Sequence, residues 1–223
     1  LDLSKIGKGR FGMIYKALHF LTAKMMAVKV VKYKAFAIKE VGFMMQVEHK
    51  NLTRLLKAYV WRGKLYIFMD LCGGGSLSKI MKKTGAFTEV EIKFVAREML
   101  LGLAALHQKD IMHRDIKSAN VLVNDAGQVK ITDFNGAKRG KASNNELVGT
   151  LMWMAPEVTS FKTMFKLLDE SQWSEEFEYR PTAEQLLQHS FLSNLESGPS
   201  PLRARLKLMK PYNMLRLQIW KFG

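Results

Sequence analysis

His113-Arg114-Asp115-Ile116-Lys117-Ser118-Ala119-Asn120, followed by Val121-Leu122-Val123, Asn124-Asp125-Ala126-Gly127, Val129-Lys130-Ile131 and Thr132-Asp133-Phe134-Asn135, decides the reading of this 223-residue chain. The two short β-branched runs flank a loop of Asn, Asp and Gly, which predicts a hairpin with a turn-type connection. A charged octapeptide precedes that hairpin and an Asp-Phe pair follows it. A bare Asp-Phe pair carries no meaning; its place directly after the hairpin makes it specific.

Working outward, Leu65-Tyr66-Ile67-Phe68-Met69 reads as a short buried strand, and Gly73-Gly74-Gly75 then breaks the chain. Thr88-Glu89-Val90-Glu91 is a capping-box sequence. Ile92, Val95, Ala96, Met99, Leu103 and Leu106 follow at helical spacing, predicting a long amphipathic helix to about His107. Nearer the N-terminus, residues 1–34 read as strands joined by turns, with Met25 to Val31 almost continuously apolar. Residues 35–47 read as a helix with Ala35, Ile38, Val41 and Met45 on one face. Strands before residue 70 and helices after residue 76 predict a two-lobed α+β fold. The expected divisions are a strand-rich lobe over 1–70, a helical lobe over 71–200 and a basic tail over 201–223.

Composition narrows the classes. Nearly half the residues are apolar, enough for a core and against disorder throughout. Apolar runs are broken by Lys, Glu or Asp well before about 18 residues, so no membrane span is expected. No signal peptide opens the chain, and Leu1 is not a natural start, so residues ahead of it are expected. The single cysteine, Cys72, excludes an internal disulfide framework and fits a reducing, cytoplasmic setting.

The formal charge is +15, with 14 Lys/Arg against 4 Asp/Glu in residues 1–70. No basic stripe interleaved with aromatics accompanies it, so a solvated basic lobe is expected rather than a nucleic-acid binder. In the tail, six basic residues alternate with Leu, Met and Trp, and Pro211 interrupts any helix there. A poorly ordered tail is expected over an amphipathic helix that docks on a membrane or partner.

Two N-terminal features carry chemistry. Gly7-Lys8-Gly9-Arg10-Phe11-Gly12 spells a loop in which glycines let backbone N–H groups approach phosphates, although glycines also serve ordinary turns. Lys29 lies inside an apolar strand, which is costly unless its ammonium is paired or its head reaches water at the strand edge.

Taken together with Gly149-Thr150 and Trp153-Met154-Ala155-Pro156-Glu157, these motifs make residues 1–157 resemble a eukaryotic protein kinase. Cys72-Gly73-Gly74-Gly75-Ser76-Leu77, Gln172-Trp173-Ser174 and Arg180-Pro181-Thr182-Ala183 resemble the germinal-centre serine/threonine kinases of the STE group. The resemblance implies ATP and Mg2+ as cofactors and a serine or threonine hydroxyl of a protein, including a downstream kinase, as acceptor. It implies that Asp115 orients the hydroxyl and takes its proton, while Lys117 steadies the transferring group. Asn120 and Asp133 hold magnesium, and Lys29, paired with Glu40, holds the α- and β-phosphates. Gly7, Gly9 and Gly12 cover the phosphates. Ile6, Ile14, Ala27 and Leu122 sandwich the base, Met69 is the gatekeeper, and Asp70 and Cys72 supply hinge backbone bonds.

The departures are equally concrete. Asn135 stands where the family has glycine, and Asn tolerates positive φ best among the other residues. Glu146 stands where germinal-centre kinases carry an activating phosphoserine, so either pairing with Arg114 or a solvated loop glutamate is expected, with Ser143 a spare phosphosite. Lys29 and Glu40 are 11 positions apart, fewer than in the family. Only 22 residues separate Glu157 from Arg180, where a complete kinase places several helices. Losing those helices removes cover from the long helix and the catalytic loop, so poor folding alone, a chaperone partner or an incomplete gene product is expected. A catalytically impaired pseudokinase, or a truncated isoform acting by binding, is the alternative to an active kinase.

Overall fold

The computed structural model describes residues 4–9, 12–19, 22–140, 148–154, 181–195 and 198–209. Strands β1 (Ser4–Lys8), β2 (Gly12–His19) and β3 (Lys24–Lys32) lead into helix α1 (Ala35–Gln46), then β4 (Leu55–Trp61) and β5 (Lys64–Asp70). After the short β6 (Gly75–Ser76) come α2 (Leu77–Thr84) and α3 (Glu89–His107). Strands β7 (Ile111–Met112), β8 (Val121–Val123), β9 (Val129–Ile131) and β10 (Lys138–Arg139) follow, then α4 (Ala183–Leu186) and α5 (Arg203–Met209).

The first lobe is one antiparallel sheet in the order β1-β2-β3-β5-β4. Alternation along β3 divides the sheet by face. Ala27 and Val31 join the core shared with α1, whereas Met26 and Val28 pack on the outer face with Ala17 and Phe68. Gly12 is required by close approach: a Cβ there would lie 2.2 Å from the Val30 carbonyl oxygen.

α1 is rotated relative to its apolar spacing. Ala37, Glu40, Phe43 and Met44 are buried, whereas Ile38 is 47% and Met45 74% exposed. Turning Glu40 inward brings it to Lys29, where the two form an ion pair, although burial still holds the Glu40 carboxyl above its ordinary value. α3 begins at the expected capping box: Glu91 N donates to Thr88 Oγ1 at 3.3 Å, and Thr88 N to Glu91 Oε2 at 2.7 Å. Its deepest stripe runs through Glu91, Val95, Glu98, Gly102 and Leu106 rather than through Ile92, which is 46% exposed. Both buried glutamates are satisfied, Glu98 by Asn51 Nδ2 at 2.7 Å and Glu91 by Arg205.

That last contact belongs to a segment expected to be poorly ordered. Leu202 and Leu206 are buried in the second-lobe core with Leu77, Ile80, Val95 and Val121. Arg205 Nε and Nη2 donate to the two Glu91 oxygens at 2.6 and 2.8 Å, and its Nη1 donates to Thr84 Oγ1 at 2.8 Å. The guanidinium also lies 4.8 Å over the Phe87 ring. Ser200 Oγ donates to the Gly127 carbonyl at 2.7 Å, tying the same segment to the β8–β9 turn. Gly74 admits Leu206, since a Cβ there would stand 2.6 Å from its Cδ2. Six basic residues hide this segment in the sequence; one of them is spent on a buried glutamate and its leucines face inward.

Candidate active site

β3 and α1 bring Lys29 and Glu40 together. The Lys29 ammonium donates to Glu40 Oε1 at 2.7 Å and to Asp133 Oδ1 at 2.9 Å. Burial disfavours its charge, but the two carboxylates more than offset that and hold it above the ordinary lysine value. Glu40 Oε2 is buried without a hydrogen-bond partner. The short spacing from Lys29 to Glu40 therefore does not prevent the pair.

The polar octapeptide forms a loop between β7 and β8. His113 is buried, its Nε2–H donates to the Thr132 carbonyl at 3.0 Å, and its Nδ1 accepts from Asp115 N at 3.3 Å. One donor and one acceptor make this the neutral imidazole, and burial holds its pKa below the ordinary 6.5. Arg114 bends the loop with φ +63° and donates from Nε to the Gly136 carbonyl at 2.7 Å.

Asp115 is the centre of the loop. Its Oδ2 accepts from Lys117 Nζ at 2.8 Å and Asn120 Nδ2 at 2.9 Å, and its Oδ1 accepts from Thr150 Oγ1 at 2.7 Å. Lys117 Nζ also donates to Thr150 Oγ1 at 2.6 Å. Burial pushes the Asp115 carboxyl up, but hydrogen bonds from Lys117 and Thr150, the Lys117 charge and the Asn120 bond outweigh it and hold the group below the ordinary value. It is a carboxylate at neutral pH. Thr150 was absent from the candidate residues. The Gly149-Thr150 motif marked its position, but spacing alone does not show that its hydroxyl reaches back to Asp115.

Asp133, at the end of the hairpin, has φ +70°, and Phe134 beside it is buried in the core between α1 and α3. The edge of that ring meets His113 at 5.3 Å between centroids. Asn135 differs from expectation: it has ordinary φ, and Asp133 takes the left-handed backbone instead. The Asn135 Nδ2 donates to Asp133 Oδ1, the same oxygen that Lys29 holds, and its own Oδ1 is buried without a partner.

The remaining candidates line the sheet side. Ala27 on β3 pairs in register with Met69 on β5, and both are buried. Ile14 on β2 faces Lys29 across the ladder, Leu122 on β8 faces Ser76, and Ile6 on β1 is 41% exposed. Asp70 N–H donates to the Arg54 carbonyl, and the Cys72 carbonyl accepts from Gly75 N. Burial pushes the Cys72 thiol up to about 12, so it is inert. Gly7 and Gly9 would tolerate a Cβ with contacts no shorter than 3.8 Å, so the protein's own packing does not demand glycine there. The loop tip at Arg10 and Phe11 lies outside the described residues, as do Ser143, Glu146, Glu157 and Arg180.

The residues fit a magnesium–nucleotide. Among the described residues no cluster of three His, Cys, Asp or Glu could hold a metal alone. Magnesium needs no such cage; it takes one or two protein oxygens and completes its shell with phosphate and water. Asp133 offers a carboxylate oxygen, and Asn120, whose Nδ2 is spent on Asp115, is left with its amide oxygen.

Residues 2–174 match the protein kinase domain. Human mitogen-activated protein kinase kinase kinase kinase 3 is 33% identical over 256 residues, covering 86% of this chain and 29% of its own length. Serine/threonine-protein kinase dst1 of Dictyostelium discoideum is 38% identical over 162 residues, covering 69% of this chain and 22% of its own. Serine/threonine-protein kinase 10 of Rattus norvegicus is 32% identical over 262 residues, covering 88% and 27%. The chain thus spans less than a third of the length of these relatives. Matched stretches of 256 and 262 residues exceed its own 223, so those relatives hold residues inside the matched region that have no counterpart here. The motif order, the Lys29–Glu40 pair, the loop around Asp115 and these matches agree: the chain belongs to the protein kinase domain family, among serine/threonine kinases of the germinal-centre type.

Proposed function

We propose that this chain transfers the γ-phosphoryl group of ATP to a serine or threonine hydroxyl of a partner protein in a mitogen- or stress-type kinase cascade. The observation that carries the reading is the constellation on Asp115: an ionised carboxylate in contact with a lysine ammonium and already accepting a hydroxyl proton, from Thr150, at 2.7 Å. An acceptor hydroxyl placed the same way gives its proton to Asp115 as its oxygen bonds to phosphorus and the bond to ADP breaks. Lys117 offsets the charge on the transferring group. Lys29, held by Glu40, positions the α- and β-phosphates, and Gly7, Gly9 and Gly12 let backbone N–H groups approach them. Asp133 and Asn120 would hold magnesium, which would supply positive charge against the phosphates. The Asp70 carbonyl and Cys72 N–H serve the adenine edge, with Ile6, Ile14, Ala27, Leu122 and Met69 around its faces.

Among the described residues no helix is long and apolar enough to cross a membrane. A buried, inert lone cysteine fits a reducing cytoplasmic setting. The residues missing relative to its kin favour a chaperone as partner, and they also favour a second reading: a nucleotide-binding protein that regulates by binding.

Transfer of labelled phosphate from ATP to a generic basic protein distinguishes the two. Lys29→Met and Asp115→Asn are expected to lower the rate at least about 10²-fold. Equal signals from all three proteins would remove intrinsic catalysis. Thermal stabilisation by Mg·ATP without transfer would establish the binding reading.

A further inference from the structure

A second concave site lies on the sheet face that Lys29 does not occupy. A cavity of about 590 Å3 opens behind the hinge, between the β2–β3 end of the sheet, the start of β4 and the β8–β9 hairpin. That size suits a drug-sized group, such as one or two anchor side chains of a longer ligand. Its wall and floor are apolar. Met26 and Phe68 belong to the outer-face core, Met25 and Leu56 are 42% and 37% exposed, and Tyr59 meets Phe68 edge-on at 5.7 Å. A bulge between Leu55 and Lys57 takes Leu56 out of the β4–β5 register.

The rim is cationic. Lys24, Arg54, Lys57 and the buried Lys130 line the cavity against one acid, Asp70, and Arg54 also pairs with Glu48 at 3.6 Å. Asp70 is already shared, 3.6 Å from Arg54 Nη2 and 3.4 Å from Lys130 Nζ. Lys24 and Lys57 are exposed and have no ion-pair partner among the described residues. The cavity therefore carries unbalanced positive charge around an apolar floor.

We propose that this cavity binds an acidic peptide segment through an aromatic or aliphatic anchor side chain flanked by carboxylates. A small multivalent anion needs donors converging on one point, as an arginine fork provides. Here the exposed cations, Lys24, Arg54 and Lys57, are spread around a wide mouth, and two of the three are lysines, which act as separate point charges. The matching ligand spaces its charges along a chain and places an apolar group between them. Most of the lining lies across the sheet from Lys29, and at the hinge the cavity takes the Asp70 side chain while its carbonyl is left to the adenine edge, so nucleotide and peptide bind together.

Fluorescence anisotropy of the labelled peptide Glu-Asp-Glu-Phe-Leu-Asp-Glu with the full chain in 0.15 M salt tests this. The double change Lys24→Glu with Lys57→Glu is expected to weaken binding about tenfold or more. The same charge change on α2, Lys82→Glu with Lys83→Glu, is expected to weaken it less than about threefold, because screening leaves distant charges little influence. Replacing Phe-Leu in the peptide by Ser-Ser is expected to abolish measurable binding, and Mg·ADP to leave it unchanged. Absence of binding by the unaltered chain, equal losses from the two charge variants, or equal affinity of the Ser-Ser peptide would overturn the proposal. So would tighter binding of a single-stranded oligonucleotide than of the peptide.

Discussion

Asn135 controls how Asp133 is presented. Its amide and the Lys29 ammonium both donate to Oδ1, and among the described residues nothing donates to Oδ2. Asn135→Gly removes one donor and a buried amide oxygen that has no partner. The Mg2+ concentration giving half of the ADP-dependent rise in melting temperature is expected to fall about threefold or more, as a carboxylate released from a hydrogen bond binds cations better. An unchanged midpoint would show the amide to be inert. His113 makes a pH prediction. Burial lowers its folded pKa, so below the ordinary 6.5 the unfolded chain binds the extra proton. Stability is then fully present above that value and falls as pH drops through it, by up to about 1.4 kcal/mol per pH unit. Urea midpoints between pH 5 and 7.5 should show the slope, and His113→Gln should flatten it. A remnant from His49 is expected, since burial and Lys50 lower that group too. At this scale the sequence was informative where chemistry restricts the residue type. Lys29 in an apolar strand called for a partner or for water, the family resemblance named Glu40, and the two meet at 2.7 Å. It was silent where geometry decides, as at Thr150, or misled, as at Asn135, where the left-handed backbone falls on Asp133.

Among elements, α5 is the one that spacing missed. Leu202 and Leu206 complete the core over α2 and β8, and Arg205 satisfies a glutamate that the α3 capping box has already turned inward. Arg205→Ala is expected to cost about 1–3 kcal/mol, because Glu91 stays buried and loses its partner. Leu206→Ala is expected to cost about 2–4 kcal/mol. Both are measurable as shifts in urea midpoint. Burial raises the Glu91 pKa, but bonds from Arg205 and Thr88 more than offset it and leave it lowered. Its contribution is present above the unfolded carboxyl value and is lost as pH falls through the lower folded one. Element existence was legible for β3, β5, α1, α3 and the β8–β9 hairpin, because caps, turn residues and β-branched runs are local signals. Helix rotation was not. The buried stripe on α1 follows Glu40, drawn inward by Lys29 on the neighbouring strand, and that on α3 follows Glu91 and Glu98, whose partners Arg205 and Asn51 lie 114 and 47 positions away. β4 went unread, since Leu55-Leu56-Lys57-Ala58-Tyr59-Val60-Trp61 carries a bulge that breaks its alternation.

For the whole molecule, charge dominates. A formal +15 on 223 residues repels itself in the compact state, and the exposed ion pairs Lys93–Glu89 and Arg54–Glu48 contribute little against it. Raising NaCl from 0.01 to about 0.3 M shortens the screening length several-fold, so the melting temperature is expected to rise. A fall would mean that the local pairs outweigh the global field. The order of contacts along the chain has another consequence. Glu91 meets Arg205 across 114 positions, and Leu77, Ile80 and Val95 wait as long for Leu202 and Leu206. On the ribosome, at roughly 5–20 residues per second, that is an interval of many seconds in which the apolar side of α2 and α3 stands uncovered. A release or stall before residue 202 leaves that side open for good. The part of the chain least suggestive of structure in its sequence thus determines how long the nascent protein is exposed to capture and aggregation.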